Sequence, residues 1–272
     1  MIQSRKADAD VLVAVDERPL TARSVIASTL LGTTPPRLPG RLLVRAGALF
    51  GLAEGTVRTA LSRMVAAGEL TADDGTYALA GPLLARQARQ DESRRAVVAA
   101  EPWDGGWTMA VVHGDPRPAP QRVELRAAAA ALRLAELREG VWLRPDNLDP
   151  GRLPASDAVV AAQCARFTTR PDDPEPAALA RRLWDLAGWA ARADGLRARM
   201  DAVVAALEAG DTDALAPGFV LSASVLRLTQ ADPLLPAALL PAGWPGAALR
   251  AEYDRYDRAY QSLLGTWFRA QT

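Results

Sequence analysis

The 272-residue chain has one cysteine, one histidine and one lysine. Cys164 alone cannot build an internal disulfide framework, and a lone cysteine fits a reducing compartment. With His113 as the sole imidazole, no Cys/His metal site and no Ser-His-Asp set with a second base in reserve can be assembled. Long apolar runs are missing too: none approaches the roughly 18 residues that a bilayer span requires. The opening residues, Met1-Ile2-Gln3-Ser4-Arg5-Lys6, carry no apolar signal core, so a cytoplasmic protein is expected.

Net charge is also absent, with 32 basic and 32 acidic residues. Zero charge argues against a nucleic-acid partner only if the charges are evenly spread. They are not. Between Arg18 and Leu70 stand seven arginines (18, 23, 37, 41, 45, 58 and 63) against Glu54 and Glu69, a net of +5. From Asp173 to Thr272 ten arginines face twelve acids, a net of −2. The hydrophobic fraction of 49% is ample for packed cores.

Punctuation by glycine and proline organises the chain. Residues 1–17 read as a polar lead-in. A helix over 21–31 stops at Gly32, before Thr33-Thr34-Pro35-Pro36. A second apolar-rich stretch, Leu42 to Phe50, joins a third helix over 54–67 through Gly51-Leu52-Ala53, and Gly68 ends it. Two β-prone runs, 69–72 and 76–79, then flank Asp73-Asp74-Gly75, a strong hairpin signal because Asp and Gly tolerate positive φ. Helix, turn, helix and hairpin in this order predict a winged helix-turn-helix over 18–98, with a linking helix over 81–100. The next region, 99–172, reads as strand 108–112, helix 122–139, strand 141–143 and short strands at 157–162 and 166–169, a small α+β sandwich. Residues 173–272 read as helical, with helices over 176–209 (broken at Gly188 or Asp194-Gly195), 218–230 and 247–268.

At about 100° per residue, Val57, Ala60, Leu61, Met64 and Val65 share one side of the third helix, and Arg58, Thr59, Ser62 and Arg63 surround the other. Arginine can fork onto guanine O6 and N7, and hydroxyls or arginine can clamp phosphates. Thr56 lies in the first turn, where backbone N–H groups also favour phosphate. By itself this pattern fits an ordinary amphipathic helix with a solvated face better. The preceding helix with Arg41 and Arg45, the three-residue turn and the following hairpin favour DNA. The acidic tip Asp73-Asp74 dissents, since phosphate would repel it.

The run Val57-Arg58-Thr59-Ala60-Leu61-Ser62-Arg63-Met64-Val65-Ala66-Ala67-Gly68 resembles the recognition helix of the PaaX family, repressors of phenylacetate catabolism. The likeness continues through Trp103-Asp104-Gly105-Gly106-Trp107, Gly140-Val141-Trp142-Leu143-Arg144-Pro145, Asp232-Pro233-Leu234-Leu235-Pro236 and 239–246. It implies an α+β multidomain homodimer: a winged helix-turn-helix, a central ferredoxin-like domain similar to CRISPR-associated nucleases, and a helical C-terminal effector and dimerisation domain. It also implies repression of an operon on double-stranded operator DNA, relieved by an acyl-coenzyme A such as phenylacetyl-coenzyme A. Family wings carry arginines or lysines before the tyrosine matching Tyr77, whereas this chain has Asp73-Asp74-Gly75.

Other candidates are weaker. His113 reads as a loop residue and Cys164 as a small buried one. A ferredoxin-like nuclease needs a carboxylate on its first strand to hold a divalent ion. The strand 108–112 has none and Asp104 precedes it, so a non-catalytic central domain without metal or cofactor is expected. Trp184, Trp189 and Arg227 can line an acyl-coenzyme A pocket, with rings packing on rings and arginine on phosphate, or the tryptophans can be core. The reading is a dimeric repressor released by an effector. Its rivals are the same scaffold with another small-molecule effector and a metal-dependent nuclease.

Overall fold

The computed structural model describes residues 20–95, 103–114, 117–172 and 175–270; the lead-in 1–17 lies outside them. The chain divides into two compact units, one formed by residues 20–88, 193–227 and 248–270, the other by 89–192 and 228–247.

In the first unit, Thr21 caps helix α1 (Ala22–Leu31) reciprocally with Ser24: each side chain accepts from the other's backbone N–H, at 3.1 and 2.9 Å. Strand β1 (Arg37–Pro39) follows, then helices α2 (Gly40–Ala48) and α3 (Glu54–Ala66) and the hairpin β2 (Leu70–Asp73) and β3 (Thr76–Leu79). Asp74 and Gly75, the two turn residues, both take positive φ (42° and 70°). That geometry matches the strand twist and produces the expected hairpin. The antiparallel order is β1-β3-β2. β1 was not expected, because Pro35 and Pro36 read as breakers; an edge strand tolerates proline such as Pro39. Ile26, Leu30, Leu43, Val57, Leu61, Met64, Leu70 and Leu79 form the core beneath.

The C-terminal segments of this unit come from α8 (Leu186–Glu208), α9 (Leu215–Gln230) and α10 (Gly246–Ala270). Gly218 lets α10 lie close: a Cβ there would stand 2.8 Å from the Tyr256 hydroxyl, which donates to the Gly218 carbonyl at 2.6 Å. Arg197 forks onto Glu252, with Nη2 2.6 Å from Oε1.

The second unit opens on α4 (Gly81–Arg95), which is described only to Arg95 of the expected 81–100, and which begins in the first unit. Then come β4 (Trp107–Val112), α5 (Ala119–Ala131), β5 (Ala135–Arg138), β6 (Val141–Pro145), α6 (Pro154–Gln163), β7 (Cys164–Thr169) and α7 (Pro176–Leu183). The antiparallel sheet has the order β5-β6-β4-β7. Alternation splits β4 between two cores. Ala110 joins Leu125, Ala128, Trp142 and Val160 under α5 and α6, and Trp107 joins Leu143, Leu179 and Leu186 on the other face.

Three expectations are corrected here. Residues 157–162 are helical, inside α6, where Pro154 supplies a first-turn start. The helix expected over 122–139 ends at Ala131, because Arg133 takes a left-handed φ of 63° and the chain returns as β5. The break in 176–209 falls at Trp184-Asp185, not at a glycine. The Asp185 carboxylate accepts from Gly188 N–H at 2.9 Å and starts α8. No helix among the described residues is long and apolar enough to cross a membrane.

Candidate nucleic-acid interface

Helix α3 sorts its residues as its periodicity requires. Val57, Leu61 and Met64 are buried, whereas Thr56, Arg58, Thr59, Ser62 and Arg63 are exposed. One continuous polar face with two guanidinium groups therefore meets solvent. It is held by close packing against α2: a Cβ built on Gly47 would lie 2.5 Å from Val57 Cγ2. The connecting turn reverses at Gly51, where φ is 70°. Arg41, exposed, and Arg45, half-buried, stand on α2.

Two features within this face were not anticipated. Arg58 is paired with Glu54 one turn earlier, Nη2 to Oε1 2.7 Å, with both side chains largely exposed. Such a pair is worth about 0.5 kcal/mol or less, so it holds Arg58 in place without withdrawing it from a stronger anion. Thr59 donates to the Gly55 carbonyl at 2.8 Å. Beside the helix lies an open groove of about 640 Å³ lined by Ala22, Arg23, Thr56, Thr59, Arg63 and Glu69 among others. Its far wall is the Arg23–Glu69 ion pair, with Nε to Oε2 at 2.9 Å, and Arg23 holds the Glu69 carboxyl below its ordinary range. Periodicity along one helix could not reveal a partner 46 residues away. The hairpin tip carries Asp73 and Asp74, both exposed.

Asp104 accepts from Gly106 N–H at 2.8 Å and pairs with Arg170, Nη2 to Oδ2 2.6 Å. These contacts hold the Trp103–Trp107 turn, where Trp103 Nε1 donates to the Gly106 carbonyl at 2.6 Å. Among the described residues no three His, Cys, Asp or Glu side chains converge as a metal cage would need. His113 is exposed just beyond β4. Cys164 is buried in β7, and burial pushes its thiol pKa up.

Trp189 is buried, donates its indole N–H to the Leu228 carbonyl at 2.9 Å and stacks on Trp244 with centroids 4.5 Å apart. Trp184 is half-buried and stacks on Trp107 at 6.4 Å. Both tryptophans belong to the second unit, whereas exposed Arg227 belongs to the first and hydrogen bonds Ser224 at 3.2 Å.

Comparison with known proteins adds three findings. Residues 21–82 match the family model described as PaaX-like protein, and residues 184–269 match that of the PaaX-like protein C-terminal domain. The structure is similar to that of the uncharacterized protein Rv0674 from Mycobacterium tuberculosis, with a TM-score of 0.68 and 42% identity over 90% of this chain and 98% of the other. No curated protein matches.

Proposed function

Because the chain belongs to the PaaX-like family, we propose that it is a DNA-binding transcriptional repressor of an aromatic, phenylacetate-type catabolic operon. The carrying observation is the exposure of Thr56, Arg58, Thr59, Ser62 and Arg63 along one face of α3, in a helical unit completed by a hairpin. In this reading residues 18–98 are a winged helix-turn-helix and α3 enters the major groove. The sheet order β5-β6-β4-β7 supports a ferredoxin-like reading of residues 99–172. Residues 173–272 serve the effector and dimerisation. A homodimer places two α3 helices on half-sites one helical turn apart, about 34 Å, so the operator is an inverted repeat. An acyl-coenzyme A effector releases it by favouring a dimer that no longer fits that spacing.

Replacing Arg58 and Arg63 with alanine tests the reading in a gel shift. Two lost base contacts at about 1–3 kcal/mol each lower specific affinity at least about 30-fold. Undiminished specific binding by the folded double variant overturns it. A second reading keeps the scaffold and changes the effector. It is favoured by the commitment of the Trp189 indole N–H to Leu228, which removes that group from any ligand. Calorimetry with phenylacetyl-coenzyme A separates the two: no heat and no operator release selects the second.

A further inference from the structure

The second unit contains a pocket of about 210 Å³ between α4 and the end of α5, lined by Arg89, Glu92, Ser93, Arg133 and Gln230 with three alanines and Leu153. Arg133 is buried where the chain takes its left-handed turn after α5. Its Nη2 donates to Ser93 Oγ at 2.9 Å and lies 3.6 Å from Glu92 Oε2. Ser93 donates in turn to the Arg89 carbonyl at 2.8 Å, which fixes Arg133 in place. The other oxygen of Glu92 takes Arg152 Nη1 at 2.8 Å. Glu92 is thus already shared by two arginines.

Behind them lies Arg144, also buried, whose guanidinium donates only to neutral acceptors among the bonds that place it: the carbonyls of Pro145 and Leu132, and Asn147 Oδ1 at 2.7 Å. Burial first, then the charges of Arg152 and Arg133, push the Arg144 pKa down to about 9. Like charges gathered in a weakly solvated place are costly unless an anion offsets them. At the pocket wall, the Arg89 guanidinium and the Gln230 amide have no hydrogen-bond or ion-pair partner among the described residues. The space is several times the roughly 30 Å³ of one water. Ala127, Ala130, Ala131 and Leu153 leave one wall apolar.

We propose that this pocket binds a phosphate-type anion between Arg89 and Arg133, with the Gln230 amide as a further donor and the apolar wall beside the ester carbon of a larger ligand. Arg133 is pre-oriented by Ser93, and Arg89 swings onto the anion from α4. Free phosphates and the phosphate groups of a coenzyme A-type ligand share this chemistry. The site goes beyond the operator reading and does not depend on it.

Calorimetry on the full chain at fixed ionic strength, with sodium pyrophosphate and with coenzyme A as probes, tests the proposal. Saturable pyrophosphate binding is expected. Arg89→Gln weakens it at least about 10-fold, the loss of one charge-assisted contact. Ala127→Glu, a substitution at an exposed helical position on the wall, abolishes it while leaving the thermal midpoint in place. Coenzyme A binding as well identifies an ester ligand, and pyrophosphate binding alone identifies a free phosphate; both outcomes support the pocket. Absence of saturable pyrophosphate binding to the wild type, or binding unchanged in both variants, overturns it. No DNA enters the measurement, so its failure is distinct from failure of the repressor reading.

Discussion

The position of α3 depends on Gly47, and replacing it tests how closely the two helices are locked. In Gly47→Ala the new methyl would stand 2.5 Å from Val57 Cγ2, whereas carbon atoms pack at about 3.5–4.0 Å. Val57 is fully buried and β-branched, so in a helix its χ1 has one strongly preferred rotamer and cannot swing aside. Overpacking of this kind costs about 1–3 kcal/mol. Alanine recovers about 1 kcal/mol of helix propensity lost at glycine, which offsets part of it. The net expectation is a loss of up to about 2 kcal/mol, a fall of up to about 8 °C in thermal midpoint for a chain of this size. Operator affinity falls too, because α3 must shift by roughly the missing ångström. The decisive measurement is a cycle with Val57→Ala. In that background the clash is gone and Gly47→Ala stabilises by up to about 1 kcal/mol, a coupling within the range seen for contacting residues. A Gly47→Ala variant that melts higher than wild type, or a cycle without coupling, refutes the close-packing argument.

Glu54→Gln removes an exposed carboxylate from the first turn of α3, where it would repel phosphate. DNA affinity by fluorescence anisotropy is expected to rise about 3- to 10-fold at low salt and less at high salt; unchanged or weaker binding counts against placing this turn at the phosphates. Tyr256 and Tyr260 have pKa values raised above the ordinary phenol value, by burial first and neighbouring charges next. The unfolded phenols ionise near pH 10 while the folded ones resist. Their stabilisation is therefore intact below pH 10 and falls above it, by about 1.4 kcal/mol per pH unit for each tyrosine. Urea midpoints between pH 9 and 11.5 should show this slope, reduced by one tyrosine's share in Tyr256→Phe. Arg144→Met leaves the Leu132 carbonyl and Asn147 without their donor. A loss of about 2–4 kcal/mol in urea unfolding is expected, and a neutral result contradicts the network as drawn.

The features legible in the sequence are those with a local cause. Asp74-Gly75 makes its hairpin because both residues accept positive φ, and α3 shows its buried stripe because three apolar side chains recur at helical spacing. The misread elements have distant causes. Nothing near Ala131 announces the end of α5: the residue that turns the chain is Arg133, a poor candidate for positive φ. It is held there by Ser93 and Glu92, about 40 positions earlier. The short run Asp157-Ala158-Val159-Val160-Ala161-Ala162 suits strand and helix alike, and it becomes α6 because Val160 must fill the core beneath the sheet. β1 exists only because β3 offers it an edge.

The same distinction orders the candidate sites. The exposed row on α3 was readable because one helix carries all of it. The groove beside it was not, since its wall joins Arg23 to Glu69. That groove also bears on the acidic hairpin. Asp73 and Asp74 would meet phosphate with repulsion, whereas Arg23 stands across the groove from Thr56, Thr59 and Arg63. Glu69 neutralises Arg23 from behind, in a pair whose arginine side chain is 63% exposed, so the guanidinium can be shared with an anion at its open side. On the proposed repressor reading, phosphate contacts that the acidic hairpin tip would repel can instead be made at the start of α1, by Arg23. Arg23→Gln would then lower the salt dependence of binding by about one phosphate contact, a change of about 0.9 in the log–log slope. An unchanged slope would return those contacts to α2 and α3 alone.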